Sequence, residues 1–124
     1  MAWVRKADYQ GWTNYETWAV ALWIDNDQGL YNESRDRARD LTRDHYDDIS
    51  RAEISLADWL KELITEGEPD LGASLYSDLL TAAIGEVNWD EIAENYIEEV
   101  KEEIDKEMAE ERAAEETEAA AETA

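Results

Sequence analysis

The sequence predicts an all-α fold, a compact single-domain bundle of about five helices with an acidic C-terminal helix and tail. Three observations lead there. Apolar residues recur at spacings of three and four through most of the 124-residue chain. Capping patterns open several of those runs, and the alternation and β-branched enrichment that mark strands are missing. With 44% hydrophobic residues, the chain can bury one core. The expected division is a helical domain over residues 1–108 and an Ala/Glu-rich tail over 109–124, frayed or disordered, because no large apolar residue follows Met108. A short strand within "AWVRK" is an alternative for the first residues.

Thr13-Asn14-Tyr15-Glu16 reads as a capping box in which the threonine hydroxyl caps the first helix and the glutamate reaches back. The stretch "GWTNYETWAVALWIDND", residues 11–27, holds three of the six tryptophans and only three of the 33 acidic residues. Apolarity on all sides predicts a buried, central helix over residues 14–26, with Trp18 and Trp23 in the core beside Trp59 and Trp89. Trp3, Tyr9 and Trp12 either close the core over that hub or form a self-association patch. "DNDQG" follows as a stop, with Gly29 able to turn left-handed. A calcium loop would want its glycine at the sixth position, and here it falls at the fifth.

From about Leu30 to Tyr46 the pattern is a charged surface helix, with Tyr31, Ala38 and Leu41 as a thin apolar stripe and arginines paired with neighbouring acids. The third helix has two candidate starts, Ser50 with Glu53 and Ser55 with Asp58. Leu56, Trp59, Leu60, Leu63 and Ile64 carry its apolar face, and Gly67 ends it. Pro69 marks a loop. A fourth helix starts between Asp70 and Ser74, with Leu75, Leu79, Leu80, Ala83 and Ile84 apolar and Gly85 as its stop. Asn88-Trp89-Asp90-Glu91 caps a fifth, running to about Arg112, with Ile92, Ala93, Tyr96, Ile97, Val100 and Ile104 on one side.

The absence of cysteine removes disulfides and thiolate sites, and a lone His45 makes a histidine-based metal or general-base site improbable. His45 among Asp44, Asp47 and Asp48 reads as a helix end. No nucleophile with its base and no phosphate-cradling glycine loop can be composed from the chain, so the expectation is a non-enzyme without cofactor or metal. No secretory or membrane-spanning run is present, which predicts a soluble, cytoplasmic protein with no membrane partner.

Charge is the outlying feature. The net value is −22, with just four lysines, and residues 86–124 alone carry −13. Self-repulsion on that scale opposes compactness, repels nucleic acid and anionic membranes, and attracts the basic grooves in which proteins hold nucleic acid. On the fifth helix, Glu91, Glu94, Glu98, Glu102 and Asp105 line the face opposite the apolar one, with Glu86, Asp90, Glu99 and Glu103 beside them. A segment of about 25 residues spans about 37 Å, close to the roughly 34 Å of one duplex turn. Like charges at i, i+4 each cost a few tenths of a kcal/mol, and only Lys101 and Lys106 offset them there. The plain reading of such a helix is a solvated face.

"GWTNYETWAVALWIDNDQGLY" and "ASLYSDLLTAAIGEVNWDEIAENYI", over roughly residues 11–97, resemble a group of small acidic proteins of phages and mobile elements that carry an Asn-Tyr-Glu-Thr-Trp segment and have no settled activity. In overall character, though in no motif, the chain is similar to phage antirestriction proteins that mimic DNA with acidic helices. The expected function is therefore a non-catalytic inhibitor, a nucleic-acid mimic in the basic groove of a nucleic-acid-binding host defence protein such as a restriction or CRISPR complex. The nine acidic residues named above are its expected partner-binding set. Two alternatives stand beside it: an acidic adaptor that binds a partner protein through an aromatic or apolar patch, and a salt-adapted domain with no nucleic-acid-related role. A homodimer is compatible with each.

Overall fold

Five α-helices follow one another, and a short polar side chain stands at the start of each. The computed structural model describes residues 9–123; Trp3 and the "AWVRK" segment lie outside them. The helices are α1 (Tyr15–Asn26), α2 (Gln28–Asp44), α3 (Ile49–Glu66), α4 (Leu75–Gly85) and α5 (Trp89–Thr123), and the described residues contain no strand.

The caps refine the sequence expectation. Asn14, not Thr13, caps α1, its Oδ1 accepting from the Thr17 amide at 2.9 Å. Thr13 is drawn away because its amide and hydroxyl both donate to the Glu91 carboxylate. One residue, Asp27, separates α1 from α2: it ends the first, and its carboxylate accepts from the Leu30 amide at 3.0 Å to begin the second. Gly29 therefore sits inside α2 and does not serve as the stop. Asp48 caps α3 ahead of both serines considered, Ser74 caps α4, and Asn88 accepts from the Glu91 amide at 3.1 Å to open α5.

The core lies where α2, α3 and the first half of α5 meet. Leu56 and Leu60 of α3 pack there with Ile92, Tyr96 and Val100 of α5, all essentially sealed from solvent, and Ile104 is buried one turn further along α5. Ala38, Ala52 and Ala93, equally buried, let the three helices approach closely. Arg35, Arg39 and Arg43 reach Glu99, Glu103 and Glu107 in a constant register, so α2 and α5 run parallel. α3 turns back after a short connection and runs antiparallel to α2, with Arg37 over Trp59 and Glu33 beside Leu63 and Glu66.

α1 is not the buried hub that its composition predicts. It buries only Thr17, Ala21 and Ile24, one stripe at i, i+4 and i+7. Tyr15 and Leu22 are exposed, and Trp23 is 77% exposed. A 12-residue helix lying against a three-helix core has one face to bury, so Trp18, Ala19 and Val20 are only half-buried at its edges and Tyr15, Leu22 and Trp23 face outward. Trp89 is buried as expected; Trp12 and Trp59 are partly buried against the core, and Trp59 carries the Arg37 guanidinium over its ring at 5.2 Å. α4 buries no residue at all: Leu75, Tyr76 and Leu79 are 67%, 70% and 59% exposed. The loop before it turns at Gly72, whose φ of +62° suits glycine.

The two sequence signatures, at 13–17 and 88–91, form a single clamp. The Asn14 side chain donates to the Glu86 carbonyl at 2.7 Å and accepts from the Thr17 hydroxyl at 2.6 Å; that hydroxyl accepts from the Asn88 amide at 2.8 Å. Thr13 and Glu91 close the ring. The start of α1 is thereby fixed to the start of α5. Because Thr17 is fully buried, Thr17→Val should strand the Asn88 amide and destabilise the fold by about 1–3 kcal/mol in a urea titration. In contrast, Ser34 Oγ is buried without a hydrogen-bond partner, and Ser34→Ala should raise stability by roughly 1 kcal/mol in the same assay.

α5 continues 35 residues as one helix. Where the sequence predicts a tail that frays or is disordered, the chain stays helical through Thr123, with the side chains of residues 109–122 all exposed. Burial ends at Ile104 and Met108; beyond them the sequence is mostly alanine and glutamate, both strong helix formers, which favour the helix where side chains are exposed. Among the described residues, no helix is long and apolar enough to cross a membrane.

Candidate functional site

α5 carries fifteen acidic side chains over its 35 residues. At a rise of 1.5 Å per residue this is about one carboxylate per 3.5 Å of axis, against one phosphate per roughly 3.4 Å in a nucleic-acid strand. The fold sorts six of these carboxylates into two rows of three.

The first row is neutralised from within. Arg39 Nε meets Glu103 at 3.1 Å and Arg43 Nε meets Glu107 at 2.8 Å, while Arg35 lies 3.7 Å from both Glu99 and Glu103. Parallel helices in register make this ladder: arginines four apart on α2 face glutamates four apart on α5. Asp36 and Asp40 buttress Arg39 and Arg43 at 2.8 and 3.1 Å. The Arg43 guanidinium holds the Glu107 carboxyl below its ordinary range.

The second row is Glu94, Glu98 and Glu102, exposed and spaced about 6 Å apart along the axis. Among the described residues they make no ion pair or hydrogen bond. They flank a shallow groove of about 480 Å³ between α3 and α5, whose wall includes Ile49, Glu53 and Ile97. Glu53 was not among the residues expected from the sequence. Its carboxyl is pushed up from its ordinary value, chiefly by burial and then by the negative charges of Glu94 and Asp90. The clustering of charge here is thus felt by a neighbour on another helix.

Because folded Glu53 holds its proton to a higher pH than it does in the unfolded chain, the native state binds more protons in that window, and stability rises as pH falls through it. Glu53→Gln should raise neutral-pH stability by less than about 1 kcal/mol after solvent screening and remove this rise, as read from urea midpoints across pH. At lower pH the opposite sign takes over. Asp105 is held below its usual range by hydrogen bonds from Lys101 and Tyr46, and Glu107 by Arg43, so their contributions are lost as pH falls through those lowered values.

The nine expected residues therefore divide. Asp90, Glu94, Glu98 and Glu102 stand together with Glu53. Glu99 and Glu103 belong to the arginine ladder. Glu91 is half-buried in the clamp with Thr13. Asp105 is tied to Lys101 Nζ at 2.6 Å and to the Tyr46 hydroxyl. Glu86 caps the end of α4, apart from the row. The arginine spacing on α2 was the sequence signal for the ladder, but only the parallel register reveals which glutamates it faces. Nothing local in the sequence singles out Glu53. Among the described residues, no cluster of three or more His, Cys, Asp or Glu is placed to hold a metal ion.

A family model described as a family of unknown function (DUF7249) matches residues 5–117. The chain belongs to that family. The match spans the clamp, the arginine ladder and the unpaired row together. No curated protein and no solved structure matches the chain.

Proposed function

We propose that this DUF7249 member is a non-catalytic inhibitor that imitates nucleic acid, laying the free carboxylate row of α5 into the basic groove of a nucleic-acid-binding host protein, a restriction or CRISPR complex being the type. The observation that carries this reading is the sorting of charge. Arg35, Arg39 and Arg43 satisfy one row and anchor α5 to the body, which leaves Glu94, Glu98 and Glu102 on a rigid helix with Glu53 and Asp90 beside them. Internal pairing would have removed the reading had it reached that second row.

Rigidity matters because an ordered row meets a preformed cationic groove with little further entropy to lose. Free carboxylates about 6 Å apart along the axis, wider than the roughly 3.4 Å phosphate spacing of a strand, can still take over some of the Lys and Arg partners of a strand, and the contact should weaken as salt rises. Direct binding to nucleic acid or to anionic membrane is disfavoured by the −22 charge. On this reading the protein works in the cytoplasm of the host cell.

The test is capture on immobilised protein from host lysate at low and high salt. Nucleic-acid-binding proteins retained at low salt and released by duplex DNA or RNA are expected. Retention that ignores both salt and nucleic acid would reject mimicry. A purely salt-adapted domain would instead lose its fold in dilute buffer, which circular dichroism reads directly.

A further inference from the structure

Among the described residues, a second surface without a partner is apolar and lies away from the α5 row. α1, the end of α3 and α4 enclose a cleft of about 440 Å³ whose walls include Ala19, Val20, Ile64, Leu80, Ile84 and Val87. Glu16 and Glu68 stand on its lining, and no basic residue does. The apolar strip continues beyond it. Trp23 lies at i+3 and i+4 from Val20 and Ala19, on the same face of α1. On α4, Leu79 and Tyr76 precede Ala83 and Leu80 by one turn. Large aromatic and aliphatic groups this exposed, with acids at the margin, mark an interaction site more often than a bare surface.

We infer that this cleft docks a cationic amphipathic helix of a partner protein, its apolar side chains entering between α1 and α4 and its Lys or Arg residues meeting Glu16 and Glu68. Charge decides the occupant. A second copy would bring another −22 to the contact, whereas a basic segment gains from the same field. The cleft walls are helices with no free strand edge, so recognition runs through side chains at i, i+3, i+4 and i+7. Trp23, large and rigid at the end of the strip, has the character of an anchoring residue. This surface is independent of the free row on α5, and either reading can fail alone.

The probe is a labelled Leu/Lys amphipathic helix of about 18 residues, compared with a scrambled peptide of the same composition, by fluorescence anisotropy at physiological salt. The amphipathic peptide is expected to bind at least about tenfold more tightly than the scrambled one, and Trp23→Ala or Ala83→Glu should abolish that difference. Both positions are exposed, so circular dichroism should show an intact fold. Triple reversal of Glu94, Glu98 and Glu102 to Lys should leave the preference unchanged. Equal affinity for the two peptides, or a preference untouched by the cleft variants, would overturn the inference. So would a concentration-dependent dimer in sedimentation that Trp23→Ala dissolves, since the occupant would then be a second copy.

Discussion

Leu56→Ala is expected to destabilise the fold by about 2–5 kcal/mol, the cost of a lost leucine side chain plus the cavity it leaves. Leu56 is fully buried where α3 meets α5, and that contact joins α3 to α5 within the core. Against a total stability of about 5–15 kcal/mol for a domain of this kind, such a loss is a large fraction. The matching control is Leu79→Ala on α4, the same chemical change at a position 59% exposed, expected to stay within about 0.5 kcal/mol. Urea midpoints at constant slope read both. If the two variants cost the same, the core does not lie where α2, α3 and α5 converge.

The second large effect separates the two rows of α5. Glu94, Glu98 and Glu102 changed together to Lys should abolish inhibition or partner capture while leaving the urea midpoint near that of the parent, because the row has no internal partners to lose. Glu99, Glu103 and Glu107 changed to Lys should do the reverse. They would set three cations against Arg35, Arg39 and Arg43, replacing contacts of 2.8–3.7 Å with repulsion, and should lower the urea midpoint below that of the parent. A simple dependence on net charge would make both triple variants lose binding equally, and that result would remove the free row as the contact face.

Much of the architecture was legible because it rests on local signals. The apolar stripe of α3, the Asn88 cap and the Gly67 stop follow from spacing and backbone chemistry alone. α1 misled because composition reports how apolar a segment is and not how many neighbours it will have. Its Leu22 and Trp23 read as core and stand in solvent, while Thr17, an unremarkable polar residue in sequence, is sealed at the clamp. The acidic helix was visible as a pattern, yet the choice of which carboxylates remain free depends on the register between α2 and α5, sixty-four positions apart in the chain. Long-range pairing of that kind leaves no periodic trace.

Over residues 109–122 of α5, about 21 Å of helix, every side chain is exposed, and the last turn has no cation to answer the negative end of the helix dipole. Short helices held by propensity alone melt gradually. On warming, this exposed segment should lose helicity before the body yields, so helicity declines along a slope ahead of the cooperative transition. A cationic surface laid against it would push that unwinding to higher temperature, so that the terminal turns report contact with a basic partner through their own melting.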